Sequence, residues 1–74
     1  MDVAIRLVDG QGKHVKDIRF AVHDSGEIPK VGDDVVFVDI YTIINRAITF
    51  FDTDVTQNGF ANKYGWSITA QLKI

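Results

Sequence analysis

The sequence predicts an all-β domain, and three observations carry that prediction. Val and Ile supply nine residues each and Thr five, against two Leu and five Ala. Branching at Cβ narrows the rotamers available in a helix and suits the pleated surface of a strand. Asp outnumbers Glu nine to one, and Asp favours turns and caps where Glu favours helix interiors. Finally, apolar residues alternate with polar ones in short runs divided by turn residues, the pattern of half-buried strands.

The elements follow in order. Val3, Ile5 and Leu7 alternate with Ala4 and Arg6, placing a first strand over about residues 2–8. Asp9-Gly10-Gln11-Gly12-Lys13 is a turn, with two glycines available for positive φ. In the second strand Ile18, Phe20 and Val22 share one face and Arg19, Ala21 and His23 the other. Val15 is out of phase with that set, so a bulge or change of face is expected near Lys16-Asp17. These two strands make an amino-terminal hairpin. Residues 24–34 form a connection in which Pro29 fixes its own φ and Gly32 permits a tight reversal. The long apolar stretch from Val35 to Phe51, interrupted at Asp39 and Asn45-Arg46, reads as two strands over about 35–40 and 41–52. One strand bent at Asp39 fits nearly the same pattern. A buried helix over 40–51 is the rival, opposed by the Ile, Thr and Phe content and by the lack of a helix stop. The last strand sets Trp66, Ile68, Ala70, Leu72 and Ile74 against Ser67, Thr69, Gln71 and Lys73. Five strands in one domain, residues 1–74, point to a small SH3-like or OB-like barrel or meander with an added amino-terminal hairpin.

Composition narrows the function classes. Apolar residues make up 46%, enough for a packed core, and the formal charge of −2 gives no argument for a polyanion or a membrane surface. Cysteine is absent, which removes disulfides, Cys-based zinc sites and thiol catalysis. No apolar run reaches the roughly 18–20 residues of a membrane span. The amino terminus shows no basic leader, apolar block and cleavage site, so a cytoplasmic protein is expected.

The run Ile28-Pro29-Lys30-Val31-Gly32-Asp33-Asp34-Val35-Val36-Phe37, with Tyr41–Ile48 and the terminal alternating strand, resembles small stand-alone SH3-like barrel proteins of bacteria, phages and mobile elements. In those a proline and a Gly-Asp turn lead into an apolar strand. The likeness covers about residues 28–74. It implies a fold and no particular role, since most of it is turn chemistry.

Candidate chemistry is sparse. Asp52-Thr53-Asp54-Val55-Thr56-Gln57-Asn58-Gly59 suggests a calcium loop, but an EF-hand needs Gly sixth and Glu twelfth, where Gln57 and Lys63 stand. A solvated loop bonded to its own backbone is the plainer reading. His14 and His23 are too far apart along one strand to share a metal. Ser25 and Ser67 lack a nucleophile motif, and Asp33 and Asp34 point to opposite faces of a strand. No enzyme activity, metal or cofactor is therefore expected.

Two binding readings remain. Residues 35–38 and parts of 40–51 are apolar on both faces, more than one small interior absorbs, so Val35, Phe37, Ile44, Ile48 and Phe50 include candidates for an exposed patch. The alternative is that the amino-terminal hairpin covers that face. The patch suggests a non-enzymatic interaction module, a homodimer or a partner of another chain. The expected contact residues are the aromatics Phe37, Tyr41, Phe50, Phe60, Tyr64 and Trp66. The second reading is a single-stranded nucleic-acid binder using Lys13, Lys16, Arg19 and Lys63 with Tyr64 and Trp66. The acidic total, with Asp33, Asp34, Asp39 and Asp52 near the strands, ranks it second.

Overall fold

The computed structural model describes residues 1–50 and 64–73. Five strands form one mixed sheet: β1 (Asp2–Val8), β2 (His14–Ala21), β3 (Asp34–Phe37), β4 (Asp39–Phe50) and β5 (Tyr64–Leu72). A single 3-10 turn, Ser25–Glu27, is the helical element among the described residues. The strand order is β2-β1-β5-β4-β3. All neighbours are antiparallel except β1 and β5, which run parallel. The fold is thus all-β as predicted, and the rival helix over 40–51 is replaced by the twelve-residue β4. The order departs from a simple meander in one place, where β5 inserts between β1 and β4.

The amino-terminal hairpin is therefore part of the same sheet, with β2 at its edge and β1 between β2 and β5. Val3, Ile5 and Leu7 of β1 are all buried, flanked by Trp66, Ile68 and Ala70 of β5 on one side and by Phe20, Ile18 and Lys16 of β2 on the other. The 9–13 turn is built by Asp9. Its carboxylate accepts the backbone N–H groups of Gln11 and Lys13, each at 2.9 Å, and Gly12 takes the positive φ of 85°. The bulge lies one residue before its expected place. Leu7 pairs with Lys16 and Val8 with His14, so Val15 is the extra residue and turns to solvent.

The sheet curls so that its two edge strands approach each other, and residues 22–33 cross between them. Val22 continues the hairpin by exchanging backbone hydrogen bonds with Met1. Ile28 then enters the core with 2% of its surface exposed. Arg46 of β4 holds this crossing segment, donating to the carbonyls of Ile28 and Pro29 at 3.4 and 3.3 Å. Its guanidinium also lies 4.5 Å from the centre of the Trp66 ring. At Gly32, with φ of 95°, the chain reverses, and Gly32 and Asp33 bond to Ile43 on the way into β3.

One core results: Val3, Ile5, Leu7, Val22, Ile28, Tyr41, Ile43, Ile68 and Ala70, with Ile18, Val35, Phe37, Trp66 and Leu72 packed against it. No polar or charged residue is buried among the described residues, so burial of apolar surface supplies the stabilisation without desolvated polar groups to offset it. No helix among them is long and apolar enough to cross a membrane.

Candidate interaction surface

The β3–β4 hairpin turns on a single residue. Phe37 pairs with Asp39, Val36 with Ile40, Val35 with Tyr41 and Asp34 with Thr42, leaving Val38 alone between the strands. Alternation does the rest. Val35, Phe37 and Tyr41 face the core, and Val36 and Ile40 face outward as a cross-strand pair. Val36 is 76% exposed, Ile40 46% and Val38 91%. Val38 also has a φ of 63°, the only positive value at a non-glycine residue among those described. A β-branched side chain is strained in that region. Three apolar side chains thus stand in solvent at one end of the sheet, on the hairpin of edge strand β3 and its neighbour β4.

Polar groups border this patch. Asp34 accepts from the Lys73 ammonium at 2.8 Å and from the Thr42 hydroxyl at 2.8 Å, which holds its carboxyl below the usual carboxylate range. Asp39 beside the tip is exposed. An apolar centre with a charged rim is the anatomy of a protein contact surface.

The residues expected to make contact are distributed differently. Tyr41, only 5% exposed, belongs to the core. Phe37 is half-buried and packs against the core, with the Lys16 ammonium 5.0 Å from its ring centre. Trp66 is half-buried between Arg46 and Met1, its indole N–H donating to the Met1 sulfur at 3.1 Å. Phe60 lies outside the described residues, as do the side chains of Phe50 and Tyr64. Ile44 and Ile48 are about half exposed and Val35 is half-buried. Among the described residues the two most exposed large apolar side chains, Val38 and Val36, are aliphatic, and the sequence reading does not single out Val36, Val38 or Ile40. The signal was available: Asp34 and Asp39 bracket a four-residue apolar run, and whichever residue turns there exposes its alternate neighbours.

The basic cluster is divided by the sheet. Lys16 lies on the inner face, opposite Leu7, while Arg19 lies on the outer face, opposite Ala4. Lys13 sits in the exposed 9–13 turn, and Lys63 lies outside the described residues. Trp66 shares the inner face with Ile68 and is covered by Arg46. The loop considered for calcium, 52–59, also lies outside the described residues. Among the described residues, no group of three or more His, Asp or Glu side chains is placed to hold a metal. No known family, curated protein or solved structure matches the chain.

Proposed function

We propose that this protein is a small non-enzymatic binding module that self-associates through the β3–β4 hairpin. The observation that carries the reading is Val38: a β-branched residue, held at positive φ and almost wholly in solvent. Gly or Asn would relieve the strain at that turn and remove the apolar exposure together. A side chain that is costly in the free chain is explained by a contact that covers it. Val36 and Ile40 extend the same apolar surface, and β3 is an edge strand among the described residues, open to a second copy by strand pairing or by face packing. The nucleic-acid reading has less support, because Lys16 and Trp66 lie on the inner face of the sheet and Arg19 on the outer one.

Sedimentation equilibrium across a range of protein concentrations tests the proposal. The expected result is a monomer–dimer equilibrium that changes little between low and moderate salt, since apolar contacts are weakly screened. Val38→Asp and Val36→Asp are expected to shift the protein to monomer while preserving its β-sheet circular dichroism. A wild-type protein that stays monomeric at every concentration would overturn the proposal.

A further inference from the structure

The outer face of β2, β1 and β5 holds a groove of about 320 Å³ that is separate from the hairpin patch. Register builds it in two rows. Arg19, Ala4 and Ser67 stand side by side in the first, and Asp17, Arg6 and Thr69 in the second. The small Ala4 side chain forms a depression walled by larger neighbours. Arg19 makes no hydrogen bond or ion pair among the described residues, and Arg6 reaches Asp17 only through Nε, at 3.5 Å. Arg6 therefore retains its terminal donors. Ser67 and Thr49 share one hydrogen bond between their hydroxyls, which leaves one hydroxyl proton of that pair free to donate. Two arginines, Arg6 and Arg19, and two hydroxyl residues, Ser67 and Thr69, thus line one depression.

We propose that this groove binds the phosphate group of an organic phosphate. Guanidinium forks donate in the geometry that phosphate oxygens accept, and they hold their charge at all working pH values. The volume lies at the lower limit for small-ligand sites and leaves room for a group attached to the phosphate. Asp17 marks one end. Its carboxylate is engaged by His14 at 3.1 Å and by Arg6, and it repels a second anionic group, so a phosphate seats toward Arg19 and its attached hydroxyl-bearing portion toward Asp17. Two sources offer this chemistry, a small phosphate monoester and the phosphodiester backbone of a single strand. The proposal does not rest on self-association, because no residue of the hairpin patch lines the groove.

Amide NMR of the labelled protein decides it, with ribose 5-phosphate and a short oligothymidylate as probes and sodium chloride at matched ionic strength as control. Either probe is expected to shift the amides of residues 4–6, 17–19 and 67–69 and to leave those of 36–40 in place. Arg19→Gln and Arg6→Gln, at exposed positions, are each expected to weaken binding about tenfold, whereas Val38→Asp leaves it unchanged. Tighter binding of ribose 5-phosphate identifies a small-molecule site; tighter binding of the oligonucleotide, scaling with its length, identifies a strand backbone. Shifts no larger than the chloride control, or shifts that persist in the double Arg6→Gln, Arg19→Gln variant, would overturn the proposal.

Discussion

The Lys16 ammonium lies over the Phe37 ring, 5.0 Å from its centre, and joins the two edge strands of the sheet. Bulging at Val15 makes this possible, since it places Lys16 opposite Leu7 on the inner face. The lysine stem covers apolar surface there while its charge stays at the rim. A cation over a phenyl face at such a site contributes about 0.5–1 kcal/mol. A double-mutant cycle with Lys16→Met and Phe37→Leu, followed by urea denaturation, is expected to return a coupling energy of that size. Phe37→Asp is expected to lower the unfolding midpoint sharply, because the ring packs against the core. A folded Phe37→Asp protein of unchanged stability would contradict the inward facing of β3.

Arg46 ties the crossing segment to the sheet through two carbonyls and the face of Trp66. Hydrogen bonds to a charged donor contribute about 1.5–3 kcal/mol when removed singly. Arg46→Met retains much of the stem and removes the donors. It is expected to cost stability in that range and to speed amide exchange at residues 28–33 before the rest of the sheet. Equal acceleration throughout the protein would show that the segment does not open separately. Trp66→Ala removes the partner ring and its core contacts, for an expected loss of about 3 kcal/mol by thermal melting.

These relationships show what was legible in the sequence. Strands β1, β2 and β5 were readable because alternation is a local property, and Val3, Ile5, Leu7, Ile68 and Ala70 are buried as their spacing required. The insertion of β5 beside β1 was not readable, since it depends on pairing between residues more than sixty positions apart, such as Val3 with Trp66. The hairpin was misplaced by a small step. The pattern reads as strands over about 35–40 and 41–52, or one strand bent at Asp39, and names Phe37 and Tyr41 as contacts for their rings. A turn at Val38 instead pairs Val35 with Tyr41 and packs Val35, Phe37 and Tyr41 inward. The outer groove is not legible in the sequence, because Arg6, Arg19 and Ser67 meet only through register.

Acid sensitivity follows from three carboxylates. Asp9 is held below its ordinary value of 3.8 by the backbone N–H groups of Lys13 and Gln11, Asp17 by His14 and Arg6, and Asp34 by Lys73 and Thr42. A lowered folded-state value means that the unfolded chain takes up protons first as pH falls, so stability present above about pH 4 is lost below it. Thermal midpoints measured from pH 7 down to pH 2.5 are expected to hold until the carboxylate range and then decline. Asp9→Asn is expected to reduce the decline at both low and moderate salt, because its donors are backbone groups within a tight turn. Asp34→Asn should reduce it less at moderate salt, where the exposed pair with Lys73 is screened. A midpoint that rises on acidification would contradict the assignment.

Val38 offers the sharpest separation of stability from association. A non-glycine residue held at positive φ costs on the order of 1–3 kcal/mol, and Asn tolerates that region better than any β-branched residue. Val38→Asn is therefore expected to stabilise the monomer by about 1 kcal/mol, a rise of roughly 4–8 °C in melting temperature for a domain of this size. The same substitution removes the most exposed apolar side chain of the hairpin and is expected to weaken the dimer. Ordinary destabilising substitutions lower folding and association together, so a variant that melts higher yet sediments as a monomer at concentrations where the wild type is dimeric would isolate the hairpin contact. A variant that melts higher and dimerises as before would place the interface elsewhere on the protein.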